Sequence, residues 1–149
     1  MKRSFIALAA ALACAGAAHA QSSVQLTGLV DAYAGSMRMA GDASGKGVVG
    51  SGGMTTSWWG MKGQEDLGGG LKVDFQLTAF MRVDTGSPGR FDGDPYFSRD
   101  ANVGLSGGFG TVRLGRGMAP NFLPTILTNP FGDSFTISPL VLHANVGTT

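Results

Sequence analysis

The sequence predicts an all-β chain whose strands form part of a transmembrane antiparallel β-barrel. Three observations lead to this prediction. Apolar and polar residues alternate over segments of ten or more residues, the connections between these segments are alternately long and short, and glycine accounts for 25 of 149 residues. A tilted strand needs about 9–11 residues to cross a bilayer, whereas strands of soluble proteins average about five or six. The length of the alternating segments therefore favours a membrane wall.

The segment 71–83 shows this alternation most clearly. Its odd-numbered positions are apolar, from Leu71 to Val83, while the even-numbered positions are polar or charged except for Phe80. A period of two is typical of a strand with one apolar and one wet face. Each Arg or Lys turned toward lipid near mid-depth would cost about 2–4 kcal/mol. The apolar face is therefore expected to contact lipid, and the charged face to line an aqueous space.

The segment 56–65 predicts the strand that precedes it. Trp59 and Met61 share one face, and Trp58 and Lys62 share the other. The two segments are joined by 66–70, whose three consecutive glycines tolerate positive φ. We therefore expect a short hairpin turn there.

The remaining strands follow the same pattern, with predicted bounds of 24–35, 97–105 and 111–116. The polar, glycine-rich stretch 36–55 is expected to be a mobile loop, and 84–95 a second long connection. Long loops that alternate with short turns are typical of outer-membrane barrels. The register of 97–105 stays open, because either Arg99 faces water or Asp100 and Asn102 do.

After residue 117 the alternation stops. Four prolines between 118 and 139 remove backbone donors, which argues against central strands. The stretch 117–138 is therefore expected to be an irregular loop, and 140–146 could begin a sixth strand.

The first 20 residues have the features of a secretory signal peptide. Lys2 and Arg3 are followed by an apolar run over 5–18 and by a small-x-small site that ends at Ala20. Cleavage there would remove Cys14, the one cysteine, so disulfides cannot stabilise the mature chain 21–149. Eleven basic residues less Lys2 and Arg3 leave nine against ten acidic ones. That balance gives no indication of a nucleic-acid partner.

The sequence predicts neither an enzyme nor a cofactor or metal site. The string 104–108 fits G-x-S-x-G, but a glycine turn and a strand follow it instead of a helix. The string 84–86 reads Asp-Thr-Gly, and the second carboxylate motif that such a mechanism needs is missing. In the mature chain His143 is the lone histidine and no cysteine accompanies it, which argues against a zinc site.

The stretch 57–72, with its Ser-Trp-Trp-Gly-Met-Lys-Gly start and Gly-Gly-Gly turn, resembles the first hairpin of Gram-negative general porins, particularly the beta-proteobacterial type. Further blocks at 24–31, 99–112 and 114–116 are similar to porin segments in the same order. The resemblance implies a sixteen-stranded barrel, a homotrimer, and a third long loop that folds inward to narrow the pore. By this resemblance, 117–138 is the constriction loop, and 129–133 its Pro-Phe-Gly-Asp segment.

Nine residues are the candidates for the pore lining. Most follow from the alternation of strand faces, whereas Arg99 and Asp133 are carried over from the porin resemblance. Basic candidates slightly outnumber acidic ones, which indicates a weak preference for anions. The charged candidates other than Lys62 and Arg99 have the alternative of being solvated residues at the rim, and the aromatic one could instead pack in a girdle. The nine are Asp31, Trp58, Lys62, Lys72, Asp74, Arg82, Arg99, Arg113 and Asp133.

The chain also departs from the porin pattern. Trp58 stands where the family usually has a pore-facing arginine, and Asp133 is the one charged residue of the expected constriction loop. Five or six strands cannot close a barrel, because an open sheet edge in lipid leaves backbone groups unpaired. The sequence is therefore interpreted as the N-terminal part of a porin.

The resulting hypothesis is an outer-membrane channel for passive diffusion of small polar solutes and ions. Its expected partners are outer-membrane lipid, these solutes and, for the full-length protein, two further copies. The alternatives are a non-conducting outer-membrane β-protein such as an adhesin or barrel anchor, a non-functional porin fragment, and a soluble exported β-domain.

Overall fold

The computed structural model describes residues 23–134 and 136–139. In chain order its elements are β1 (Ser23–Leu29), β2 (Ala32–Met37), β3 (Lys46–Ser51), β4 (Trp58–Gly68), β5 (Leu71–Arg82), β6 (Ser87–Pro88), β7 (Asp100–Gly107), β8 (Gly110–Arg116) and the helix α1 (Phe122–Leu127). The main sheet has the order β1-β4-β5-β7-β8, with β6 paired to the end of β5, and β2 and β3 form a separate two-stranded sheet. All pairings are antiparallel. The predicted all-β class is confirmed.

The hairpin of β4 and β5 forms the centre of the main sheet. Its register runs from Trp58 opposite Phe80 to Gly68 opposite Leu71, with an irregularity at the turn. Gly68, Gly69 and Gly70 have φ values of 82°, 61° and 81°. These angles lie in the left-handed region that glycine adopts without steric cost, so this sequence can make the turn.

The faces of the main sheet are the reverse of those in a soluble protein. Within the described residues, Ala79 is the one apolar side chain that is buried, whereas Ser57, Thr78 and Asn102 are buried polar ones. On the outer face Leu26 is 78% exposed and Leu114 is 69% exposed, together with many other apolar side chains. A surface this apolar needs a nonpolar partner, and a bilayer supplies one.

The prediction of one continuous strand over 24–35 is wrong. The chain leaves the main sheet after Leu29, and β2 pairs with β3 instead. Asp31 explains the break, because Ser57 occupies its backbone groups: the Asp31 N–H donates to Ser57 Oγ at 2.8 Å, and Ser57 Oγ donates to the Asp31 carbonyl at 2.9 Å. The Asp31 N–H thus bonds to a side chain instead of a neighbouring strand, while the Asp31 carbonyl also accepts the Gly52 N–H at 2.9 Å.

The stretch 36–55, predicted to be a loop, also contains a strand, because β3 lies within it. The other strands of the main sheet differ from their predicted bounds by one to three residues. β4 starts and ends later than 56–65, and β5 ends one residue before 83. β7 starts and ends later than 97–105, and β8 starts one residue before 111. The expected signal peptide and sixth strand lie outside the described residues.

The stretch 117–138, expected to be irregular, contains the six-residue helix α1. Its proline, Pro124, lies in the first turn, where a missing backbone N–H costs nothing. Across the described ranges, no helix combines the length and the apolar character that a membrane crossing requires.

Candidate functional site

The inner face of the main sheet and the segment that follows β8 line an open cavity of about 950 Å³. The strands contribute Trp58, Lys62, Gln76, Thr78, Asn102 and Arg113 to its wall. Met118, Phe122 and Asp133 of the following segment also line it. The polar face of the sheet and the segment that follows β8 therefore contribute to the same cavity.

Five of the nine sequence-predicted pore residues line this cavity, namely Trp58, Lys62, Arg99, Arg113 and Asp133. Lys72, Asp74 and Arg82 lie on β5 at the same parity as Gln76, and thus on the same face of the sheet, but away from the cavity wall. Asp31 lies in the break between β1 and β2. A pore-lining role stays a prediction for all nine residues.

The register of β7 follows the second alternative, in which Asp100 and Asn102 lie on the inner face. The strand begins at Asp100, so Asp100 and Asn102 point inward, while Arg99 precedes the strand and also reaches the cavity. Arg99 Nη1 donates to Asp100 Oδ2 at 2.8 Å, and Thr78 Oγ1 donates to the same oxygen at 2.7 Å. The Arg99 guanidinium lies 3.9 Å from the ring centroid of Trp58, a cation–π contact. Periodicity missed this arrangement because Arg99 lies outside the strand.

Arg113 and Asp74 form an ion pair across an intervening strand. Asp74 of β5 is opposite Gly104 of β7, and Gly104 is opposite Arg113 of β8. Arg113 Nη2 donates to Asp74 Oδ2 at 2.7 Å over this glycine. A Cβ atom at Gly104 would lie 2.6 Å from Asp74 Oδ1, so a glycine is what allows the two side chains to meet.

Lys62 differs from these arginines. Its neighbours in register are Gln25 and Gln76, and in the described part of the chain it has no ion pair. Its ammonium group is therefore a positive charge at the cavity with no bound carboxylate to offset it.

The returning segment is attached to the loop before β4 by hydrogen bonds. The Thr55 hydroxyl donates to the Asp133 carboxylate, and Ser134 Oγ donates to the carbonyl of Gly53 at 2.9 Å. The Asp31 carboxylate in turn accepts the N–H groups of Gly53, Met54 and Thr55 at 3.0, 2.9 and 3.0 Å. Asp31 thus holds the loop on which the returning segment rests.

Sequence reasoning missed Arg90 and Phe80 as parts of the wall. Arg90 comes from the connection after β6, where alternation carries no information, and its guanidinium lies 4.8 Å from the Phe80 ring centroid. Arg90 Nε also donates to Asp94 Oδ2 at 3.0 Å. Phe80 could have been identified from the sequence, because it is the one apolar residue on the polar face of its strand.

The Arg90–Asp94 pair also sets the charge state of a buried carboxyl. Burial alone would raise the pKa of Asp94, but hydrogen bonds from the Arg90 side chain and backbone, together with the Arg90 charge, bring that pKa below its ordinary 3.8. The carboxylate is therefore ionised at neutral pH and keeps Arg90 beside Phe80.

Over residues 23–134 and 136–139, no three His, Cys, Asp or Glu side chains are grouped closely enough to hold a metal ion.

A wall of long antiparallel strands, apolar outside and charged inside, defines the class of an outer-membrane β-barrel protein. The chain belongs to the Gram-negative porin family, whose model matches residues 7–148. This membership confirms the family resemblance, and the outer-membrane relatives place the chain in an outer membrane.

Two curated relatives and one solved structure are similar to the chain. Outer membrane porin protein 32 of Delftia acidovorans is 45% identical over 80% of this chain and 33% of that protein. An outer membrane porin protein of Bordetella pertussis is 33% identical over 99% of this chain and 40% of that protein. The anion-selective porin from Comamonas acidovorans matches with a TM-score of 0.62 and 36% identity, over 74% of this chain and 32% of that one. The chain thus spans about a third to two fifths of the length of these porins.

Proposed function

We propose that the complete protein to which this chain belongs forms a water-filled channel for passive diffusion of small hydrophilic solutes and ions. One observation carries the proposal: a charged cavity lies on the face of the sheet opposite to its exposed apolar face. Such a wall separates lipid from water, and charged groups along the wet side decide which solutes enter favourably.

The proposed channel prefers anions. Four basic side chains line the cavity, those of Lys62, Arg90, Arg99 and Arg113, against the two acidic side chains of Asp100 and Asp133. Lys62 adds a charge without a bound counterion. The anion-selective porin of Comamonas acidovorans, which shares the fold, supports this preference.

The segment 117–138 is proposed to act as the constriction loop. Its hydrogen bonds to the loop before β4 hold Asp133 at the cavity, opposite the basic wall. We further propose cleavage of a signal peptide after residue 20, assembly of three copies, and no catalytic activity.

Planar-bilayer recording of the complete protein tests the channel. Stepwise current and a reversal potential shifted toward the anion equilibrium potential are expected in a salt gradient. Lys62→Ala and Arg99→Ala should each move the reversal potential toward cations, because each removes one positive charge from the cavity. Absence of stepwise current from correctly folded protein would reject the channel.

Lys46→Ala is the matched control, since it removes the same charge from the exposed β2–β3 hairpin, where Lys46 pairs with Asp42 at 2.8 Å. If all three variants shift the reversal potential equally, the cavity is not the filter.

A further inference from the structure

The Arg99 side chain is held at the cavity by an aromatic ring and a carboxylate. Its guanidinium lies 3.9 Å from the Trp58 ring centroid, and its Nη1 atom donates to Asp100 Oδ2 at 2.8 Å. All three residues line the cavity. Trp58 is the first residue of β4 and Asp100 the first of β7, and β5 lies between these two strands. The position of the Arg99 charge therefore depends on a contact between strands that are not neighbours.

The two partners of Arg99 have different effects on its charge. Asp100 is an anion, so a more complete ion pair offsets more of the positive charge that a passing solute experiences. The Trp58 ring attracts a cation through the negative face of its π-system but has no net charge. A guanidinium held by the ring therefore keeps its positive charge available at the cavity.

The ion pair between Arg99 and Asp100 is a single-point contact. Guanidinium and carboxylate groups frequently form two parallel N–H···O bonds. Within the described residues, however, Arg99 reaches Asp100 through Nη1 alone. The accepting Oδ2 atom also binds the Thr78 hydroxyl at 2.7 Å, which keeps the carboxylate in place. Because a stacked guanidinium cannot turn freely toward a carboxylate, we attribute the single bond to the contact with Trp58.

Phe80 does not offer Arg99 a second ring. It lies directly opposite Trp58 in register, but the Arg90 guanidinium lies 4.8 Å from its ring centroid and is kept there by an ion pair of its own. Without the Trp58 ring, Asp100 would be the remaining strong partner of Arg99. The guanidinium would then pair more completely with a carboxylate side chain that is only 12% exposed.

We propose that Trp58 is a positioning residue for anion selectivity. Its ring holds the Arg99 guanidinium at the cavity and keeps Asp100 from offsetting that charge more completely. The inference rests on the proposed anion-preferring channel and adds an uncharged residue to its filter.

The test measures the reversal potential of the complete protein in planar bilayers, in a potassium chloride gradient at pH 7. Trp58→Leu is expected to shift this potential toward cations, in the same direction as Arg99→Ala and by about half as much, because the charge is displaced and not removed. Trp58→Phe keeps an aromatic face and should retain most of the original potential.

A double variant separates positioning from a direct effect of the ring on the pore. In protein that already carries Arg99→Ala, Trp58→Leu should add no further shift, because no guanidinium remains to be held. Trp59→Leu is the matched control, since Trp59 is the next residue on the same strand and lies on the outer face, 37% exposed. It should leave the potential unchanged. Trp58→Met also removes the ring, and it replaces Trp58→Leu where that variant forms no channels.

An unchanged reversal potential in Trp58→Leu and Trp58→Met, beside a shift in Arg99→Ala, would overturn the positioning role while leaving the channel and its filter in place. Equal shifts from Trp58→Leu with and without Arg99 would overturn it as well, since the ring would then act independently of the guanidinium. Absence of stepwise current or of anion preference in the unaltered protein would instead reject the proposed function, and the positioning role with it.

Discussion

Asp94 shows how a single residue in a loop can order the inner wall. Its side chain is only 2% exposed and binds Arg90 through both the guanidinium group and the backbone N–H. Arg90 in turn covers the Phe80 ring. The carboxylate therefore determines where a cationic residue of the cavity lies.

The pH dependence of this contact follows from the lowered pKa of Asp94. A lowered pKa in the folded state means that the stabilisation is fully present above the ordinary pKa of 3.8 and is lost as the pH falls below it. Hydrogen exchange over 89–94, corrected for its intrinsic pH dependence, should be equally slow at pH 7 and pH 5 and faster at pH 3.

Asp94→Asn should give fast exchange at all three pH values, because it removes a charged hydrogen-bond partner worth about 1.5–3 kcal/mol. Asp92→Asn is the control: Asp92 pairs with Arg82, but its side chain is 94% exposed and such pairs contribute little. Faster exchange in both variants would contradict the role given to Asp94.

Asp31 has a comparable role at the break between β1 and β2. Asp31→Asn removes the negative charge that accepts three backbone N–H groups. We expect a loss of at least about 2 kcal/mol, since hydrogen bonds to charged groups contribute about 1.5–3 kcal/mol each. The measurement is the temperature at which the folded form disappears in electrophoresis of unboiled samples, where the variant should melt earlier.

The control for Asp31→Asn is Asp84→Asn, because the structure shows no hydrogen bond or ion pair for Asp84 within the described ranges. Equal melting temperatures of the two variants would refute the loop-holding role.

At the scale of elements, close approach of the strands depends on small residues. Gly60 of β4 is opposite Thr78 of β5, and a Cβ atom at Gly60 would lie 2.2 Å from the Leu77 carbonyl oxygen. That oxygen belongs to the backbone and cannot rotate away. The glycine therefore fixes the spacing of the central hairpin.

Gly60→Ala should destabilise the folded protein by about 1–3 kcal/mol, the usual cost of overpacking. Gly108→Ala should have little effect, because no heavy atom lies within 4 Å of the Cβ position at this turn residue. Urea unfolding in detergent micelles, followed by tryptophan fluorescence, measures both. A larger loss for Gly108→Ala than for Gly60→Ala would show that the strand spacing is not limiting.

At the scale of the whole molecule, the two faces of the sheet have different solvents. Gln76 and Leu77 are neighbours on β5, and only Gln76 lines the cavity. Leu77→Arg should cost about 2–4 kcal/mol near mid-depth of the bilayer, whereas Gln76→Arg should cost little, because its side chain points into water.

Folding into lipid vesicles, titrated with urea, compares these two variants directly. Both variants introduce arginine on the same strand. A difference between their free energies of unfolding therefore arises from the face of the sheet on which the arginine lies. Equal free energies of unfolding would mean that Leu77 does not contact lipid.

Much of the fold could be predicted because alternation along a strand reports its two solvents directly. The β4–β5 hairpin, its glycine turn and the inward orientation of Lys62 and Arg113 follow from local sequence alone. Asp31 was harder: its polar character fits the inner face, yet the hydrogen bonds that end β1 come from Ser57, 26 residues away. Periodicity contains no information about such a distant partner.

The sequence by itself determined the class of fold, the lipid-facing side and the family, because these depend on patterns that repeat at every strand. The tertiary structure decided which charges are offset and which are free. Arg113 is paired to Asp74 over a glycine, Arg99 is stacked on Trp58, and Lys62 has no carboxylate beside it within the described residues. These are contacts between strands and loops brought together by folding, and Coulomb attraction at a few ångströms depends on that proximity, which no spacing along the chain records.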